Sequence, residues 1–87
     1  MAIPIHRHAA KVRPVINTFG HMVRALRRAA GLKQEELAAL AYVRPAFIGQ
    51  IERGETNPSL VSIALLANAL GCQVADFFPR KTPWECV

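Results

Sequence analysis

Two stretches of this chain put a cation directly in front of what reads as a helix: Lys33 before QEELAALA, and Arg44 before PAFIGQIE. A helix start carries partial positive charge and amide protons without intrahelical partners, so Ser, Thr, Asp or Asn is the stable residue there. A cation opposes the dipole by about 0.3–1 kcal/mol and forgoes a cap of about 1 kcal/mol, a loss that an anion at the same end would recover. The chemistry these residues suit is the non-covalent capture of phosphate-like groups. Surface drift of two caps is the competing reading. Arg44 and Gln50 can form directed polar contacts around the second helix start, whereas Pro45 and Ala46 in its first turn offer no side-chain donor.

The distribution of charge agrees with an anionic target. Of a net +5, residues 1–34 contain seven Lys/Arg (Arg7, Lys11, Arg13, Arg24, Arg27, Arg28 and Lys33) and no acid, while the rest of the chain holds four Lys/Arg and all six acids. A one-sided basic field attracts polyanions, nucleic acid being the commonest for a small basic domain; mere solubility is the bland alternative. At 87 residues the chain makes one small domain, and no nucleophile, base and oxyanion donors converge, so an enzyme is disfavoured. Cys72 and Cys86 form no CxxC pair; Cys72 falls at an apolar core position, and Cys86 near the end is open to an intermolecular disulfide. His6, His8 and His21 lack further ligands at defined spacing, so neither a metal nor another cofactor is expected. No run approaches the roughly 20 apolar residues that span a bilayer. MAIPIHRHAAKVRP lacks the apolar run of a secretory signal. These readings predict a soluble cytoplasmic protein without a membrane partner.

The elements that must position these residues follow from periodicity. Residues 1–17, with Pro4 and Pro14 and no sustained period, read as a basic N-terminal arm. From Thr18 onward Phe19, Met22, Val23, Leu26 and Ala30 recur at helical spacing until Gly31 supplies a stop, predicting a first helix over roughly 18–30. The second helix, Gln34 to Ala41, has acids in its first turn, where the dipole favours them, and ends near Tyr42. Pro45 marks the first turn of the third, since its fixed φ and missing amide proton cost nothing there, and the residue before proline is pushed to the extended geometry of an N-cap. Ile48 and Ile51 face inward and Gly54 closes this helix. ETNPS is a turn into a fourth helix, LVSIALLANAL, and a last short helix, VADFF, follows Gly71. With 79–87 as a C-terminal tail, the fold class is all-α, five helices over 18–78.

GLKQEELA, IERGETNPSL, and ALG followed by a short closing helix together resemble the Cro and phage-repressor type of helix-turn-helix domain, the xenobiotic-response-element family. The resemblance covers about residues 18–78. It implies a compact lambda-repressor-like five-helix domain that acts as a homodimer on double-stranded DNA, the third helix entering the major groove and the second lying across the backbone. The third helix is also similar in part to controller proteins of restriction and modification systems, where an aromatic precedes the isoleucine.

What the resemblance implies for single residues follows position by position. Gln34 matches a glutamine that contacts a phosphate; Lys33, at a helix start where the family usually has a neutral cap, departs from the pattern but is expected to hold a phosphate as well, as are Thr56 and Asn57. Arg27 and Glu52 occupy the positions of a buried ion pair, which gives Arg27 a structural role. Pro45 and Ala46 fill the two positions from which relatives most often send polar side chains to base edges. Because a good bidentate base contact is worth about 1–3 kcal/mol, base reading falls to Arg44, Ala46, Phe47 and Gln50, with a share of specificity left to operator shape and bendability. Phe47 is equally placed to pack on the second helix. Arg7, Lys11 and Arg13 of the arm either follow the DNA or add only diffuse attraction.

The fourth helix points to a partner. Ile63, Leu66, Ala67 and Leu70 make a core face, yet Val61, Leu65 and Ala69 make a second apolar stripe. With Val74, Phe77 and Trp84 it forms a candidate dimer interface; alternatively the tail carrying Trp84 folds back over its own core. The expectation is a sequence-specific transcriptional regulator, a repressor, bound as a homodimer to a two-fold operator. The alternative is an antitoxin-like or adaptor module whose main role is to grip another protein through the fourth helix and tail.

Overall fold

In the computed structural model, which describes residues 9–79 and their side chains from residue 12, the first helix, α1, runs Ala9–Ala29. It starts well before Thr18, so residues 9–17 are helical and not part of an arm; Arg7 lies outside the described residues. Pro14 lacks an amide proton and so forfeits the bond to the Ala10 carbonyl, but it falls in the second turn and its neighbours repay the helix by packing. Val15, Ile16 and Phe19 line one apolar concavity with Pro58, Ile63 and Phe78. Arg13 Nη1 also donates to the Gly54 carbonyl at 2.7 Å, pinning this part of α1 to the end of the third helix.

Helix α2 spans Gln34–Ala41, α3 Pro45–Glu52 and α4 Leu60–Leu70. The fifth element is a single 3₁₀ turn, Val74–Phe77, in place of the expected short helix. Tyr42 caps α2 in the left-handed region, φ 59°, which glycine adopts at far lower cost. Ser59 caps α4 by accepting from the Ser62 amide at 3.1 Å.

Phe19 and Val23 of α1, Leu37, Ala38 and Ala41 of α2, Ile48 and Ile51 of α3, and Leu66 and Ala67 of α4 are all buried, with Phe77 closing one end. Phe77 sets its ring against Phe19 edge to face, centroids 5.0 Å apart, while Phe78 stacks on Phe19 at 5.8 Å. Cys72 is half-buried against this core, and burial pushes its thiol pKa up. Where α1 crosses the C-terminal end of α3, the contact is made by Gly20: a β-carbon there would run into the Ile51 carbonyl oxygen. No helix among the described residues is long and apolar enough to cross a membrane.

Candidate nucleic-acid interface

Both helix starts have the backbone that their sequences dictate. Lys33 is extended at φ −81°, ψ 163°, and Arg44 at φ −78°, ψ 145°, each in the N-cap position with no side-chain cap. Glu36 reaches back to accept from the Lys33 amide at 2.8 Å, one half of a capping box. The first turn of α2 therefore gains a carboxylate where the dipole favours it, while the Lys33 side chain stays exposed.

Between the start of α2 and one face of α3 lies an open cleft lined by Lys33, Gln34, Ala46, Gln50 and Arg53. Ala46, Gln50 and Arg53 follow one another at i, i+4 and i+7 and so share a helix face. Gly49 beneath them is buried, and the Arg53 guanidinium lies over it: a β-carbon at Gly49 would sit 3.0 Å from Nη1. The face that α3 presents is thus shallow in its first turn and polar only from Gln50 onward.

At the back of the cleft, the Glu52 carboxylate is buried and fully engaged. It accepts from Arg27 Nε at 2.7 Å and Nη2 at 3.1 Å, from Arg24 Nε at 3.2 Å and from Gln34 Nε2 at 3.1 Å. Burial alone would push its pKa up, but the hydrogen bonds from Arg27, Gln34 and Arg24 outweigh that and hold it below the usual carboxylate range. The bond to Glu52 likewise raises the Arg27 pKa. Arg27 also donates from Nη1 to the Leu32 carbonyl at 2.8 Å, so one buried guanidinium joins α1, the α1–α2 connection and α3. Gln34 is oriented by the same carboxylate, which takes one of its two amide protons.

The other residues singled out from sequence fall elsewhere. Arg44 and Phe47 flank a second concavity with Tyr42 and Val43 at the α2–α3 turn, and Phe47 packs partly against the core. Asn57 lines the apolar concavity beside α1 and not the cleft of Lys33 and Gln34, and Thr56 is half-buried. Phe77, expected in a dimer interface, is 0% exposed; its ring is consumed by Phe19 and the core, so it offers no outward surface. Val61 and Val74 are exposed, Leu65 is half-buried on the core, and Leu60, not singled out from sequence, is 74% exposed beside Val61. Trp84 lies outside the described residues.

Two residues of the site were missed by sequence reasoning. The available signal for Arg53 is its three-residue spacing from Gln50, which puts both on one face of α3. The sequence carries no signal for the role of Arg24, because its convergence with Gln34 on one carboxylate oxygen spans 28 residues to Glu52 and has no local signature.

The fold and cleft are those of a helix-turn-helix domain, and the sequence model of that family matches residues 23–77. The chain belongs to the helix-turn-helix family of the Cro and phage-repressor type. It is 35% identical over 65 residues to the immunity repressor protein of Bacillus phage phi105, covering 75% of this chain and 45% of that protein. It is 36% identical over 59 residues to control protein C.SmaI of Serratia marcescens, covering 68% and 70%. The crystal structure of the restriction-modification controller protein C.AhdI from Aeromonas hydrophila superposes with a TM-score of 0.71 at 43% identity, over 72% of this chain and 96% of that one. The chain spans less than half the length of the phage repressor.

Proposed function

We propose that this chain is a DNA-binding transcriptional regulator of the cytoplasm, acting as a homodimeric repressor on a two-fold operator. The observation that carries this is the cleft itself: Lys33 and Gln34 at the start of α2 stand beside Gln50 and Arg53 on the outer face of α3. In that arrangement α3 enters the major groove while the start of α2 meets the flanking phosphates. Gln50 reads a base edge, Ala46 meets a thymine methyl, and Lys33, Gln34 and Arg53 hold the backbone. Arg44 and Phe47, at the edge of the α2–α3 turn, reach the next bases or phosphates along the groove. A smooth first turn leaves part of the specificity to the shape of the duplex.

For the dimer, the support is the exposed pair Leu60 and Val61 at the start of α4, with Val74 exposed on the closing turn. To meet two half-sites, a two-fold pairing through this surface has to set the two α3 helices about 34–36 Å apart, one turn of the duplex. Selection of bound duplex from a random pool at fixed salt tests the reading: an inverted repeat with half-sites one turn apart is the expected product. A pool that shows no enrichment would overturn it.

A further inference from the structure

Helix α1 contains no acidic residue, and its arginines are not scattered around it. Arg13, Arg24 and Arg28 lie within one stripe, at i, i+11 and i+15, whose 100° steps bring all three within about 60° of each other. The stripe borders Gly20, where α1 crosses the end of α3. Arg24 shares the Glu52 oxygen with Gln34, which itself lines that cleft, and Arg13 holds the carbonyl of Gly54, next to Arg53 on the cleft wall.

A solvated helix face usually pairs its cations with acids one turn away; here Arg24 and Arg28 stand at i, i+4 with like charge, which costs an isolated helix a few tenths of a kcal/mol. Among the described residues the one carboxylate bonded to this stripe, Glu52, is buried and already shared with Arg27. Two of the three guanidiniums are held by a single group each, Arg13 through Nη1 and Arg24 through Nε, which orients them and leaves their other donors without a partner among the described residues. Arg13 and Arg28 are exposed, and the Arg24 side chain is 39% exposed. The Arg28 side chain has no hydrogen bond or ion pair among the described residues.

We propose that this ridge, Arg13–Arg24–Arg28, is a second backbone-contact surface for the same duplex, lying on the phosphates that flank the groove occupied by α3. The proposal rests on the DNA reading above and extends it beyond the helix-turn-helix unit. The ridge is about 22 Å long at ~1.5 Å per residue, and phosphates of one strand recur about every 3.4 Å along the duplex axis, so two or three can be met at once. Charge complementarity and continuity with the cleft favour a nucleic acid over an acidic protein surface. The oriented guanidiniums suit phosphate oxygens, which they can engage through paired donors.

The test compares the full chain with Arg28→Ala, Arg24→Gln/Arg28→Ala and, as a reference, Lys33→Ala. Binding to a random-sequence duplex is measured from about 50 to 200 mM salt, with thermal unfolding of each protein. One lost phosphate contact should reduce the slope of log Kobs against log salt by about 0.9. Arg28→Ala should therefore lower the slope by that amount without changing thermal stability, and the double variant by about twice as much, equally for all sequences. Because the Arg28 side chain forms no hydrogen bond or ion pair among the described residues, this variant decides the matter even if the Arg24 change disturbs the fold. Unchanged slopes in both ridge variants while Lys33→Ala lowers its own would overturn the ridge and leave the DNA reading intact. Loss of binding to polyglutamate with an unchanged duplex slope would assign the ridge to an acidic protein and overturn the proposal too. A wild-type chain that binds no duplex would sink the DNA reading itself, and the ridge with it.

Discussion

Replacing Glu52 with alanine should be the most damaging single change in this domain. The carboxylate accepts four hydrogen bonds from Arg27, Arg24 and Gln34, and its removal leaves the buried Arg27 guanidinium with only the Leu32 carbonyl. Breaking a buried ion pair from one side costs about 3–5 kcal/mol, and Glu52→Ala should fall at the upper end. Arg27→Ala should cost less, near the lower end, because Arg24 and Gln34 still hold the carboxylate. At about 4–8 °C per kcal/mol for a domain of this size, the Glu52 variant should unfold some 15–40 °C earlier. Urea unfolding followed by circular dichroism measures both. A loss below about 1 kcal/mol, or a larger loss for Arg27→Ala than for Glu52→Ala, would refute the account of the network. The same network fixes a pH dependence. Glu52 has a lowered pKa in the fold, so the unfolded chain takes up its proton first as the solution is acidified. Its contribution is fully present above the ordinary glutamate pKa of about 4.3 and is lost as the pH falls from there through the folded value. Wild-type stability should therefore decline below about pH 4.3, whereas Glu52→Ala should show a shallower decline.

Other perturbations separate reading, holding and packing. Gln50→Ala should relax preference at one base position by about 1–3 kcal/mol in a selection experiment. Lys33→Ala should instead weaken all duplexes about equally and reduce the salt slope by about 0.9. Gly20→Ala should destabilise the domain by about 1–3 kcal/mol through collision with the α3 carbonyls; a fully stable variant would show that α1 and α3 can move apart. Val61→Asp, at an exposed position, should leave thermal stability of the monomer nearly unchanged while shifting sedimentation from dimer to monomer; an unshifted dimer would place the interface elsewhere.

Local chemistry made α2 and α3 legible from the sequence alone. Pro45 in a first turn, acids at positions 35 and 36 and glycine at 54 each act within a turn of helix, and the observed bounds of both helices coincide with them. The family was legible for the same reason, because GLKQEELA and IERGETNPSL sit in those short, self-contained units. Tertiary structure decided the rest. Pro14 reads as a break, but the partial burial of Val15 and Ile16 and the Arg13 bond to Gly54, 41 residues away, outweigh one missing hydrogen bond and carry α1 back to Ala9. Phe77 reads as one more residue of an apolar surface, yet only the meeting of α1 with the closing turn places it edge-on to Phe19 and removes it from the outside. Gln34, Arg24 and Arg27 come from two helices to one carboxylate on a third. Sequence periodicity reports which way a side chain leaves its own helix; which group it meets depends on how separate helices cross, and the packing of the whole chain sets that.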